Sequence, residues 1–171
     1  MPSSGDAGNS VAEVALALGS NLGDRRANLL RAVELLGMRG VRVTGRSSIW
    51  ETAPVPNDQP GFLNAVVLAE TELDPVTLLA TAKAIERELG RTPGRRWGPR
   101  PIDIDILFHG TDTIDTPELT IPHSQIANRD FVLVPLAEVM PGPLPVFAKS
   151  AEELLARLPP SSATYHSRFE P

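Results

Sequence analysis

Residues 101–107 read Pro-Ile-Asp-Ile-Asp-Ile-Leu, and this alternation constrains the fold more than any other segment. Apolar and acidic side chains that alternate with period two are sorted onto separate faces only by an extended strand. Ile102, Ile104 and Ile106 then enter a core together. Asp103 and Asp105 share the opposite face, roughly 7 Å apart along the strand.

The rest of the chain supplies partners for such a strand. Residues 14–18 form a short apolar run that ends at the turn Gly19-Ser20-Asn21, as expected of a first strand. Asp24 opens a helical pattern, with Leu29, Val33 and Leu36 on one face and Gly37 as its stop. Residues 41–50 are β-branched and alternating at their start, which predicts one second strand. Pro54, Pro56 and Pro60 exclude a helix and most sheet pairing, so residues 52–61 are a loop. Residues 62–70 predict a third strand. Asp74-Pro75 caps and starts a helix whose apolar face is Leu78, Ala82, Ile85 and Leu89, ended by Gly90. Residues 91–101 form a second loop and 102–108 the fourth strand. Residues 119–121 predict a short edge strand, and 131–139 and 151–158 two further helices. The order β-α-β-β-α-β with appended helices predicts an α+β, ferredoxin-like fold, an antiparallel sheet covered by helices. Residues 1–10 read as a tail, and 11–171 as one domain.

Composition narrows the chemistry. The chain has no cysteine, so a metal must be held by oxygen or imidazole. This is compatible with a reducing cytoplasm. No run of 18 apolar residues is present, and the N-terminus lacks the basic start and apolar core of a signal peptide. A net charge of -5 argues against a nucleic-acid binder. The charge is uneven, however: Arg91, Arg95, Arg96 and Arg100 fall within ten positions, directly before the acidic pair. Arg is favoured where a planar fork grips phosphate, although GC-rich codon usage produces the same bias.

On its own, the Asp-x-Asp pair is equally the solvated face of an edge strand. With the arginines before it, the pair suits a polyphosphate held through Mg²⁺, since carboxylates bind the ion and arginines the phosphates. The alternative is a set of surface ion pairs, worth little. Trp97, in the same polar loop, either closes over a ligand or packs on the sheet. His123 alone is as well explained as a surface histidine. Asn64 lies in a strand, where amides are depleted; it reads a heterocycle edge or serves a sheet turn.

Five blocks carry a resemblance. They are Ala17-Leu18-Gly19-Ser20-Asn21, the run Asp58-Gln59-Pro60-Gly61-Phe62-Leu63-Asn64-Ala65, the run from Arg96-Trp97-Gly98-Pro99-Arg100 through Asp103 and Asp105 to Ile106, Leu119-Thr120-Ile121-Pro122-His123, and Asn128-Arg129-Asp130-Phe131 with Pro135-Leu136. In this order they resemble the 6-hydroxymethyl-7,8-dihydropterin pyrophosphokinases of folate synthesis, over residues 14–141. The resemblance implies transfer of a diphosphate from Mg²⁺-ATP to the pterin hydroxymethyl group, with release of AMP. It implies that Asp103 and Asp105 hold two Mg²⁺ ions and that Arg96, Arg100 and Asp105 are catalytic. It assigns Glu86, Arg91, Arg96, Trp97, Arg100, Ile106, Thr120, His123 and Arg129 to ATP. Thr52, Pro54, Val55, Phe62, Asn64 and Phe131 are assigned to the pterin, the two phenylalanines stacking on its ring. The implied enzyme is a cytoplasmic monomer acting on small molecules, without nucleic-acid or membrane partners. A chain of 171 residues leaves no room for a fused second enzyme of ordinary size.

Several positions depart from the pattern. Phe62 stands where tyrosine is frequent, Ser124 where an aromatic is common, Ala53 in place of a proline, and Lys83 in place of a glutamine. The spacing from Arg91 to Arg96 is one residue short. Two other readings use the same residues: an idle nucleotide-binding module, and a metal-dependent nuclease, which the acidic net charge disfavours.

Overall fold

A computed structural model describes residues 10–53, 61–91 and 99–171. The order of elements is β1 (Ala12–Ser20), α1 (Arg25–Met38), β2 (Val41–Arg46), β3 (Ile49–Thr52), β4 (Phe62–Thr71), α2 (Pro75–Glu88), β5 (Asp103–His109), β6 (Ile114–Asp115), β7 (Thr120–Ile121), α3 (Asp130–Val139), α4 (Ala151–Leu155) and β8 (Thr164–Ser167). The main sheet runs β5-β1-β4-β3-β8, with β2 also on β4, and its pairings are antiparallel. The expected βαββαβ core is present, with its last strand beside its first.

The helices start where capping chemistry predicts. The Asp24 carboxylate accepts from Ala27 N at 3.1 Å, and the Asp74 carboxylate from Thr77 N at 2.7 Å. Ser150 and Glu153 form a reciprocal capping box at α4.

Alternation in the strands builds a core on each face of the sheet. Val14, Leu16, Leu18, Ile104 and Ile106 join α1 and α2 on one side. Ala15, Val66 and Leu107 join α3 and α4 on the other. Asp103 and Asp105 lie on this second face, as the period-two reading requires.

Four expectations need correction. Residues 41–50 are two strands, not one. The break is at Ser47 and Ser48, whose polar groups take partners outside a continuous ladder: Ser47 Oγ accepts from Val66 N, and Ser48 N donates to the Glu138 carboxylate. Residues 119–121 do not edge the main sheet; β7 pairs with β6 in a separate two-stranded sheet. The last helix stops at Leu155. Arg157 N and Leu158 N bond three residues back, and Pro159 and Pro160 block continuation. Strand β8 was not anticipated at all.

Candidate active site

Backbone register brings the polar residues of the second face into one row. Gly19 of β1 is paired with Asp103 of β5 on one side and with Asn64 of β4 on the other. Asn64 is paired in turn with Trp50 of β3. Gly19 is the gap in this row. A Cβ built there meets Asn64 Oδ1 at 3.4 Å and Phe62 Cδ1 at 3.5 Å. The buried Asn64 donates from Nδ2 to Thr52 Oγ1 at 2.7 Å, leaving its oxygen aimed over the glycine.

β5 ends the main sheet, so its outer backbone groups need partners from elsewhere. Two neighbours provide them. The Glu86 carboxylate on α2 accepts from Ile104 N at 2.8 Å, and His123 N donates to Leu107 O at 3.1 Å. Glu86 is 2% exposed, and burial raises its pKa despite the Ile104 bond.

The arginines converge on this edge. Arg91 Nη1 lies 3.0 Å from Glu86 and 2.8 Å from Asp103. Burial alone would lower the Arg91 pKa, but Glu86 and Asp103 outweigh it and raise it. Arg100 Nη1 lies 3.5 Å from the second Asp103 oxygen. The buried Asn21 fixes the Arg100 backbone twice, its Oδ1 accepting from Arg100 N at 2.8 Å and its N–H donating to Arg100 O at 3.1 Å. Asp103 is thus matched by two guanidinium groups.

Asp105 is different. Burial first, and then the charge of Asp103, push its carboxyl up to about 6. Two carboxylates on one face, one of them ionising at such a cost, make a place that favours a divalent cation. Mg²⁺ is commonly held by one or two carboxylates, with phosphate and water oxygens completing its shell. Among the described residues, no set of three or more His, Asp or Glu forms a closed metal cage. The donor set therefore fits an ion that arrives with its substrate.

A cleft of about 230 Å³ opens beside β5, lined by Lys83, Asp105, Ile106, Thr120, His123 and Ser124 among others. Burial and then Arg129 lower the His123 pKa, which favours the neutral ring. Arg129 also lowers the Asp105 pKa, and its guanidinium stacks 5.6 Å over the Phe131 ring. A larger hollow of about 580 Å³ lies between β2, Glu138 and the last four residues. It does not include the aspartates, so the chemistry belongs to the smaller cleft.

Residues 15–141 match the family described as 7,8-dihydro-6-hydroxymethylpterin-pyrophosphokinase (HPPK). The chain belongs to this family. Among curated HPPK-related proteins, the 2-amino-4-hydroxy-6-hydroxymethyldihydropteridine pyrophosphokinase of Methylorubrum extorquens is 47% identical over 148 residues, 85% of this chain and 93% of that protein. The Bacillus subtilis protein of the same name is 50% identical over 126 residues, 72% of this chain and 75% of that one. The mitochondrial folate synthesis bifunctional protein of Pisum sativum is 49% identical over 129 residues, 75% of this chain but 25% of that protein. The chain thus spans about a quarter of the plant relatives that it matches. A crystal structure of Plasmodium falciparum HPPK-DHPS superposes with a TM-score of 0.70 at 17% identity, covering 87% of this chain and 46% of that one, and so shares the fold.

The HPPK fold gathers most of the residues singled out in the sequence. Asp103, Asp105, Glu86, Arg91, Arg100 and His123 meet at the β5 edge; Ile106 and Thr120 line the cleft; Arg129 sits near Asp105 and His123. Thr52, Phe62 and Asn64 meet at the far end of the row. Phe131 is half-buried on α3, under Arg129. Pro54, Val55, Arg95, Arg96 and Trp97 lie outside the described residues. Two residues named in the sequence without a role also take part. Asn21 holds Arg100 in place, and its signal was its position in the Gly19-Ser20-Asn21 block. Lys83 lines the cleft and lies 3.4 Å from Glu86; its place one helical turn before Glu86 on α2 was the clue.

Proposed function

We propose that this chain transfers the terminal diphosphate of ATP to 6-hydroxymethyl-7,8-dihydropterin, in the synthesis of folate. The hydroxymethyl oxygen forms a bond to the β-phosphorus. The bond between that phosphorus and the α,β-bridging oxygen breaks, AMP departs with the oxygen, and the hydroxyl proton passes to a base. The observation that supports this reading is the row Asp103–Gly19–Asn64, which sets a carboxylate and a buried amide on one floor with an unfilled position between them, as a metal-held phosphate beside a heterocycle would require.

In this reading Asp103 and Asp105 hold two Mg²⁺ ions, which would neutralise charge on the triphosphate as AMP leaves. Arg91 and Arg100 exchange Asp103 for phosphate oxygens when nucleotide and metal arrive. Arg96 and Trp97 complete the phosphate side. Glu86, Ile106, Thr120, His123 and Arg129 frame the nucleotide. Asn64 and Thr52 read the polar edge of the pterin, Phe62 and Phe131 stack on its ring, and Pro54 and Val55 flank it. Asp105, held up to about 6 without metal, is the group nearest in character to a proton acceptor. Residues 11–171 act as one catalytic unit, a cytoplasmic monomer. Among the described residues, no helix is long and apolar enough to cross a membrane.

The test is incubation with ATP, Mg²⁺ and hydroxymethyl-dihydropterin, followed by separation of the nucleotides. AMP and a pterin diphosphate are expected in equal amounts. ADP as the product would mean transfer of a single phosphoryl group and would overturn the reading.

A further inference from the structure

Residues 142–171 lie beyond the family match, yet they touch both sides of the proposed pterin slot. Thr52 stands at the end of β3, a strand of only four residues. One edge of β3 is paired to β4. Its other edge is covered by β8, with Trp50 opposite Tyr165 and Glu51 opposite Thr164. The Trp50 and Tyr165 rings meet edge to face at 6.1 Å. Three residues before Thr164, Ser161 Oγ donates to the Asp130 carboxylate at 2.6 Å. Asp130 begins α3 and immediately precedes Phe131. Residues 161–164 therefore tie the strand of Thr52 to the helix of Phe131.

Both ends of this tie are anchored. Downstream, Phe169 is 3% exposed in the core beneath α1 and α2, with the Arg46 guanidinium 5.5 Å over its ring. Arg26 donates to the Arg168 carbonyl at 3.2 Å and to that of Glu170, and Arg46 donates to the Phe169 carbonyl at 3.3 Å. On the other side of β3, Arg25 Nη1 holds Glu51 at 2.6 Å and the Gly61 carbonyl at 2.9 Å. A Cβ at Gly61 would meet Thr52 O at 2.9 Å, so the approach to Thr52 is already tight. Nothing in the C-terminal segment is joined to Asp103, Asp105, Glu86 or Arg91 by a described hydrogen bond or ion pair.

We infer that residues 161–167 are a positioning element for the pterin: they fix the spacing between Thr52 and Phe131, and among the described contacts they approach the nucleotide side only through Arg129, the residue before Asp130. This rests on the assignment of Thr52 and Phe131 to the pterin made above. Loss of the Ser161–Asp130 bond frees the start of α3 from β3, so the pterin must restore the spacing from its own binding energy. The nucleotide, assigned mainly to residues of α2, β5 and the segment after β7, makes the weaker demand, through Arg129.

The experiment compares KM for hydroxymethyl-dihydropterin with KM for Mg²⁺-ATP in the full chain and in Ser161→Ala, Ser161→Thr, Asp130→Asn and Phe169→Ala. Ser161→Ala and Asp130→Asn are expected to raise the pterin KM about three- to tenfold, as for one charge-assisted hydrogen bond, with a clearly smaller change in the ATP KM, transmitted through Arg129 alone. Ser161→Thr, which keeps the hydroxyl, restores the wild-type value. Phe169→Ala releases the anchor and gives the same loss, larger for the pterin than for ATP, with a lower melting temperature. The inference is overturned if Ser161→Ala and Asp130→Asn keep the wild-type melting temperature and the wild-type pterin KM, or if both substrates lose equally. A wild-type chain that turned over ATP without pterin would remove the assignment itself, and the inference with it.

Discussion

Asp103 and Asn64 stand in one row across the sheet, two strands apart, with only Gly19 between them. Strand spacing puts their backbones about 10 Å apart. In the proposed function that gap joins the end assigned to the metal to the end assigned to the pterin ring, and its floor is a residue without a side chain. Gly19→Ala adds a methyl group at ordinary contact distance from Asn64 and Phe62 but inside the gap, and should weaken pterin binding about 5- to 30-fold, as for overpacking of about 1–2 kcal/mol against a ligand there. ATP binding should be retained. Calorimetric titration of each ligand checks the split, and equal weakening of both would count against it.

Asp105 links catalysis to stability. Without metal, the folded protein keeps the Asp105 proton to about pH 6, whereas an ordinary aspartate loses it near 3.8. Folding then takes up a proton between these values, so stability falls as pH rises through that window and the penalty is constant above it. The penalty is at most about 3 kcal/mol. Asp105→Asn, freed of it, should be more stable than wild type at pH 7 in chelator and no more stable below pH 4, as measured by denaturant unfolding. Turnover should fall by about a thousandfold or more, since several kcal/mol of charge stabilisation go with the metal ligand.

How much of this was legible in the sequence differs from element to element. The alternation at 102–106 fixed both the buried isoleucines and the shared face of the aspartates, because a strand leaves no other sorting. The aspartic acid caps and Gly90 marked helix ends. Thr164–Ser167 carried no such mark: Thr164, Tyr165 and His166 are exposed, so no alternation records a buried face. Its pairing comes from the open edge of β3, a tertiary fact. The break at Ser47 was equally hidden, since it depends on Val66 and Glu138, which are far away in sequence. At the site, Asn64 was readable as an amide out of place in a strand. Its partner Thr52 was assigned only through the family resemblance.

Glu86 accepts from a backbone N–H of β5, pairs with Arg91 and lies beside Lys83. Glu86→Ala should cost about 2–4 kcal/mol, because it leaves Ile104 N–H without a partner and Arg91 without its buried counter-charge. Glu86→Gln should cost less by retaining an acceptor. Urea unfolding of both variants separates the two contributions; equal losses would mean that charge alone matters.

His109 offers a control away from the chemistry. Its ring nitrogens face the Asp112 carboxylate at 3.0 Å and the Leu73 carbonyl at 2.9 Å, joining the end of β5 to the turn before α2. His109→Ala should lower stability by about 1–3 kcal/mol while leaving the KM for ATP unchanged at temperatures where it is folded. A changed KM would tie this clamp to the site.

The position of β5 at the margin of the sheet has a further consequence. A strand with an open margin is a template on which another chain can polymerise. Here the Glu86 carboxylate and the His123 backbone occupy that margin, and His123 also lines the cleft beside β5. Substitutions that loosen α2 or the segment after β7 therefore endanger solubility as well as catalysis. The edge stays covered against another chain whether or not substrate is bound.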